Sequence, residues 1–260
     1  MANLEHIAYL KAGVEVWNQW RSHHPDLIPD LSHAVLPQCY FPGINFVKAN
    51  LAHSDLSNTI LEQANLNYAN LKNACLAGAT LRQATFIGAD LTTATLQQAN
   101  LTYGDLSTAI LRGANLSGAN AIHVELYQAD LRGAILCHTV LRGANLWEAH
   151  LEQSTLRGAN LSEANLCQAD LSQCNLSRAD LLSSQLYRAN LREANLQEAN
   201  LVKAYLLGAD LSKANLSQAN CAWANLSHTN LQSATLERTS FRGANLHRSQ
   251  LDPAVFIEID

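Results

Sequence analysis

The chain has 260 residues, 17 Lys and Arg against 22 Asp and Glu, a net charge of −5 and a pI near 6.0. No basic surplus stands ready to neutralise phosphates, so direct nucleic-acid binding is not expected, and no apolar stretch approaches the length of a bilayer span or forms a signal peptide. The six cysteines (39, 75, 137, 167, 174 and 221) include no C-x-x-C, which speaks against a metal or redox centre, implies no cofactor and fits a reducing, cytoplasmic compartment.

The first predicted element is a helix over residues 3 to about 23. Asn3 is placed to cap it, Glu5 lies in the first turn, and Pro25 stops it. Ile7, Leu10, Val14 and Trp17 recur at helical spacing, and Tyr9, Val16 and Trp20 add a second apolar strip. Residues 1–30 are therefore expected to form a helical cap and lead-in, with Trp17 and Trp20 packing against whatever follows.

From Leu31 to Phe256 every fifth residue falls on one frame of 46 positions, of which 39 are Leu and five are Phe; Ala121 and Cys221 complete it. We call this position i. A small residue, usually Ala, stands at i−2 and usually Asn or Asp at i−1, as in Ala114-Asn115-Leu116. On an extended segment i and i−2 point to one side and i−1 to the other. The step of three to the next i−2 then requires a bend at i+1 and i+2, where Ser, Gly, Gln, Arg and Glu suit exposed turns. A helix is excluded, because a period of five spreads the leucines around its whole circumference. Bends repeated with one hand wind the chain into an all-β solenoid lined by Leu and Ala, a single continuous domain over residues 31–260.

Tandem A-[N/D]-L-x-x over residues 31 to 256 resembles the pentapeptide-repeat family. The resemblance implies a right-handed quadrilateral β-helix with twenty residues per coil, hence about eleven coils and a rod of roughly 55 Å. No G-x-S-x-G, H-E-x-x-H or phosphate-loop motif occurs, so a non-enzymatic protein is expected. Members with a short N-terminal helix are abundant in cyanobacteria, where one relative regulates heterocyst differentiation, and some members mimic duplex DNA and bind DNA gyrase.

Along the repeat, the unit at Ala121 and Val124 is the weakest match, and a local bulge is expected there, re-aiming Ile122 and His123. After Leu251 the chain alternates as a strand would, so Val255, Ile257 and Ile259 offer an apolar end for end-to-end pairing or for closing the chain's own edge.

With twenty residues per coil, residues twenty apart stack. One i+1 column then holds Tyr127, Trp147, Cys167, Tyr187 and Leu207, flanked by Tyr205. Such a strip marks either a surface for a protein partner or a second copy, or bracing between coils. The next column carries Ile122, Leu182 and Val202 with Trp223 beside it, which extends the apolar surface around a corner. Asp90, Asp130, Asp170 and Asp210 align elsewhere and carry the DNA-mimic alternative, although Arg112, Arg132 and Arg192 adjoin them. His33 and His53, near Asp30 and Asp55, lack the converging ligands a metal needs, and no catalytic motif occurs. The expected role is a rigid scaffold or regulator.

Overall fold

From Asp30 onward every fifth residue forms a single-residue parallel bridge to the residue twenty further on, in the computed structural model of the chain, which describes residues 2–252. The bridges run Asp30↔Asn50, Val35↔Asp55, Tyr40↔Ile60 and Asn45↔Asn65, and repeat to Asn230↔Gln250. Each coil thus takes twenty residues and contributes to four bridge columns. We number the four sides by their first inward leucine or phenylalanine: Leu31 on the first, Leu36 on the second, Phe41 on the third and Phe46 on the fourth. No longer strand occurs among the described residues, because a bend follows every third residue.

The expected bends form at i+1 and i+2. Each closes on a hydrogen bond from the i+3 N–H to the carbonyl of i, such as Ala49 N to Phe46 O at 2.9 Å. Positive φ falls on i+2 alone, +58° at Lys48 and +57° at His33, which makes these type II turns. A left-handed non-glycine residue costs about 1–2 kcal/mol. The repeat offsets this with the N–H of the left-handed residue itself, which donates to the next coil, as in His33 N to Ala52 O at 2.9 Å.

The Asn or Asp at i−1 explains itself twice. Its Oδ1 accepts the N–H of i+1, as Asp105 does from Ser107 at 2.9 Å, so the side chain fixes the turn. Where i+1 is Pro37 or Pro42 there is no N–H to accept, and i−1 is Val35 or Tyr40. The Asn amide also donates to the side chain one coil earlier: Asn70 to Asn50 at 3.1 Å, and Asn50 to Asp30 at 3.2 Å. The direction is constant, so a carboxylate, which only accepts, can receive such a ladder but never continue it toward the N-terminus. Asp30, Glu125, Asp170 and Asp180 each receive one.

Inside, the i and i−2 side chains are buried throughout the middle coils. At i−2 the buried hydroxyls of Thr59, Thr139 and Ser54 donate to the carbonyls of Leu36, Leu116 and Leu51, so polar substitutions for Ala leave no group unsatisfied. Cys174 and Cys221 also lie inside, where burial pushes their thiols up to about 11 and about 12.

The unit at Ala121 is not a bulge. Asn120↔Val140 and Glu125↔Asn145 hold the register, and Ala121 and Val124 are buried like their counterparts. The exchange is one of volume: Ala replaces Leu at i while Val replaces Ala at i−2, and Gly104, with no side chain, stands one coil before Val124. A closed coil tolerates such a compensated swap.

The cap is two helices where one was expected, α1 (Leu4–Lys11) and α2 (Val14–His23). Gly13 breaks them with φ +112°. Asn3 caps α1 through Glu5 N at 2.8 Å. Leu10, Trp17 and Trp20 are buried, Ile7, Tyr9 and Val14 half-buried, and Trp17 meets Phe46 edge-on at 5.5 Å. Val16, expected in a second apolar strip with Tyr9 and Trp20, is 41% exposed. The cap also pairs the polar edge of the first coil. Asn3 N reaches Asp30 O, Asp30 N reaches His6 Nδ1, Trp17 Nε1 reaches Asn45 O, Asn18 Oδ1 accepts Asn45 N, and Arg21 donates to Val47 O. These groups lie on the first and fourth sides. On the third side Asn18 donates to Gly43 O at 2.9 Å, but the N–H and C=O of Val35 and Tyr40 themselves, on residues 75% and 69% exposed, have no hydrogen-bond partner among the described residues; the adjacent Pro37 and Pro42 suit such an edge. Buried Arg21 donates only to carbonyls (His24, Leu27 and Val47), and burial lowers its pKa.

At the other end the inward residues Ala234, Leu236, Ala244 and Leu246 are only half-buried. Val255, Ile257 and Ile259, expected to form an apolar end, lie outside the described residues. Among the described residues no helix is long and apolar enough to cross a membrane.

Candidate interaction surface

The i+1 side chains leave the backbone at the start of each turn, and the twenty-residue register stacks them into four outer columns. On the fourth side this column brings Tyr127, Trp147, Cys167, Tyr187 and Leu207 together on consecutive coils, spaced about 4.8 Å apart along the axis. Tyr205, from the bridge position of the same side two residues before Leu207, joins them.

Their burial is intermediate rather than full. Trp147 is 42% exposed and Tyr205 39%, while Tyr127, Cys167, Tyr187 and Leu207 are half-buried. Tyr127 meets Trp147 edge-on at 6.1 Å, and Tyr187 stacks with Tyr205 at 6.5 Å. The rings therefore form two pairs, and small Cys167 separates them. Between Trp147 and Tyr187 this leaves a shallow depression of about 300 Å³, lined also by Asn165, Gln168 and Gln185. Nothing in the sequence alone marked that gap as different from the rest of the strip; its signal is one small residue between two aromatic coils.

Around the corner, Leu182 is exposed and Ile122 and Val202 half-buried on the third side, with Trp223 exposed beside them. Trp223 lies flat over Gly243, where an added Cβ would come within 2.5 Å of the ring. The same fit recurs for Tyr68 over Gly88, His123 over Gly143 and His138 over Gly158. Glycine at i+2 thus makes room for a ring from the coil before. A larger hollow of about 470 Å³ on the second side, through Gly78, Gln98, Gly118 and His138, follows from the same alternation of small and large residues.

The first side is the opposite of the fourth. Lys72 pairs with Asp90 at 3.1 Å, and Arg112 and Arg132 both hold Asp130. Partial burial pushes the Asp130 carboxyl up, but the hydrogen bonds from Arg132 and Arg112 outweigh it and hold its pKa at about 2. Asp170 accepts from Asn190. The aligned carboxylates are thus largely engaged by their own neighbours. His33 and His53 stack at 4.8 Å with their planes 2° apart, and among the described residues no three His, Cys, Asp or Glu side chains converge.

A family model described as pentapeptide repeats (8 copies) matches in overlapping segments from residue 30 to residue 256. The sequence matches no curated protein. Among solved structures, the chain is similar to HetL, a pentapeptide-repeat protein involved in heterocyst differentiation regulation from the cyanobacterium Nostoc sp. strain PCC 7120. The two are 31% identical over 87% of this chain and 94% of that one, with a TM-score of 0.54. Rfr23, a pentapeptide-repeat protein from the cyanobacterium Cyanothece 51142, is 32% identical over 45% of this chain and 90% of its own, with a TM-score of 0.27. QnrB1, a plasmid-mediated fluoroquinolone resistance protein, is 19% identical over 83% and 92%, with a TM-score of 0.45. With the family pattern spanning nearly the whole repeat and a bridge at every fifth residue, the chain belongs to the pentapeptide-repeat family and has its β-helix fold, preceded by two N-terminal helices.

Proposed function

We propose that this protein is a non-enzymatic scaffold or regulator, built as a right-handed, four-sided tower of about eleven coils, that acts by presenting its fourth side to a protein partner. One observation carries this reading. The fourth side alone stacks aromatic and apolar side chains on five consecutive coils and leaves Trp147 and Tyr205 well exposed, in a fold whose interior already buries its leucines. The regulatory role named for HetL is consistent with it. The partner is another protein or a second copy of the chain. Net charge of −5 supports neither direct nucleic-acid nor acidic-membrane binding, and six free cysteines suit a reducing cytoplasm.

The test is a photo-crosslinking amino acid at position 147, compared with one at position 112 on the first side, in native cell extract. The expected outcome is a discrete adduct from position 147 alone, lost on Tyr187→Ser while the melting temperature holds. If Tyr187→Ser melts early and the adduct persists, the strip braces the coils instead.

The DNA-mimic alternative draws on the alignment of Asp90, Asp130, Asp170 and Asp210. Their engagement by Lys72, Arg112, Arg132 and Asn190 leaves little field to imitate phosphates. Inhibition of gyrase supercoiling at low micromolar protein would restore it.

A further inference from the structure

We propose that the depression between Trp147 and Tyr187 binds a proline-rich segment in the polyproline II conformation, lying along the solenoid axis. This rests on the reading of the fourth side as an interaction surface and names its ligand.

The first argument is spacing. Trp147 and Tyr187 stand two coils apart, which is about 9.6 Å along the axis. A polyproline II helix repeats every three residues at about 3.1 Å each, so one turn spans about 9.3 Å. Successive turns of such a ligand therefore meet successive aromatic walls, with Cys167 as the floor between them.

The second argument is hydrogen bonding. Trp147 Nε1, Tyr187 Oη and the side-chain amides of Gln168 and Gln185, which line the open depression, make no hydrogen bond to another described residue. All four border the depression or form its walls. A polyproline II ligand has no internal hydrogen bonds and presents free carbonyls, which need donors, while its pyrrolidine rings pack on aromatic faces. The lining is otherwise uncharged, as such a ligand prefers.

The third argument is charge at the rim. The i+2 column beside the depression reads Glu148, Gln168, Arg188, and neither Glu148 nor Arg188 takes part in an ion pair among the described residues. Glu148 is steadied by Gln128 Nε2 at 2.8 Å, and the Arg188 guanidinium lies over the Tyr187 ring at 5.2 Å. These opposite charges are one ligand turn apart. A segment with a basic and an acidic residue three positions apart, set among prolines, complements both. A second copy of the chain, related by a twofold axis at Cys167, would place hollow against hollow and leave the depression empty.

The test uses the full chain and a fluorescein-labelled peptide, Pro-Pro-Lys-Pro-Pro-Glu-Pro-Pro-Pro, followed by anisotropy. Saturable binding is expected, weakened about tenfold or more by Trp147→Ser or Tyr187→Ser and only a few-fold by Trp147→Phe, which keeps the wall and removes the indole N–H. A peptide with the same Lys and Glu in a Gly-Ser background is expected to bind at least about tenfold more weakly. Bound peptide is also expected to slow alkylation of Cys167 by iodoacetamide and leave Cys137 unaffected, a readout that does not depend on any substitution. Absence of saturation at millimolar peptide, equal binding of the Gly-Ser peptide, or unchanged Cys167 alkylation overturns the proposal. If the peptide fails while crosslinks from position 147 persist, the ligand assignment falls and the interaction surface stands. A dimer by light scattering that Trp147→Ser dissociates, with no peptide binding, assigns the surface to a second copy and likewise overturns it.

Discussion

The first and fourth sides of the solenoid are built on one backbone and one interior. Leu131 and Leu166 are equally buried, Asp130 and Asn165 each hold the N–H two residues on, and both sides repeat the same turn. Outside they diverge: the first side carries Arg112, Arg132 and Arg192 against Asp90, Asp130 and Asp170, while the fourth carries Tyr127, Trp147, Tyr187 and Leu207. Because the repeat constrains i, i−1 and i−2 and leaves i+1 to the solvent, the outer columns are the positions this fold leaves open to selection for function. A difference between two sides of one repeat is therefore more informative than any single residue on either.

The largest effects should ignore that difference. Leu131→Ala on the first side and Leu166→Ala on the fourth are each expected to cost about 2–5 kcal/mol in urea unfolding, by similar amounts. A large gap between them would mean that the outer columns do take part in holding the coils. The next effect separates the sides. Asn190→Leu and Asn165→Leu each lose the bond from the N–H two residues on, but the first also removes bonds to a carboxylate, Asp170, and the second one to a neutral amide, Asn145. Beyond the shared turn bond, further losses of about 1.5–3 and about 0.5–1.5 kcal/mol follow, and equal losses would show that the charged ladder adds nothing.

The third comparison uses pH. The folded Asp130 carboxyl, at about 2, lies below the ordinary aspartate value of about 3.9, so its ion pairs contribute fully above the higher value and are lost as pH falls through the lower. Wild type should thus lose its advantage over Asp130→Asn between about pH 4 and pH 2, measured as urea midpoints at pH 5 and pH 2. Trp147→Phe on the fourth side should show the same difference from wild type at both pH values. A constant difference for Asp130→Asn across the range would mean that the guanidinium contacts are screened by solvent.

Much of this was legible in the sequence. The five-residue frame fixed which side chains point inward and where the chain bends, and Asn3, Trp17 and Trp20 marked the cap. The count of four sides came only with the family resemblance, since a bend every five residues does not say how many bends close a coil. Gly13 went unread because the apolar spacing of Leu10, Val14 and Trp17 runs straight through it. The expected bulge at Ala121 does not form, because volume is balanced across units and coils, with Gly104 one coil before Val124, and a single unit of sequence does not display that balance. The ring-over-glycine pairs, such as Trp223 with Gly243, and the gap at Cys167 depend on contacts twenty residues apart and become visible only once the register is known.

Leu146 and Trp147 are adjacent in the chain and point in opposite directions, one into the tower and one out of it. The most direct test of the account is the urea midpoint and the photo-crosslinking yield of Trp147→Ser, with the crosslinker moved to position 168 at the border of the depression, beside those of Leu146→Ala with the crosslinker at the same position. The account predicts that Trp147→Ser keeps a near wild-type midpoint and loses its adduct, while Leu146→Ala loses about 2–5 kcal/mol and, where folded, keeps it. An equal fall in both midpoints with both adducts intact would contradict it.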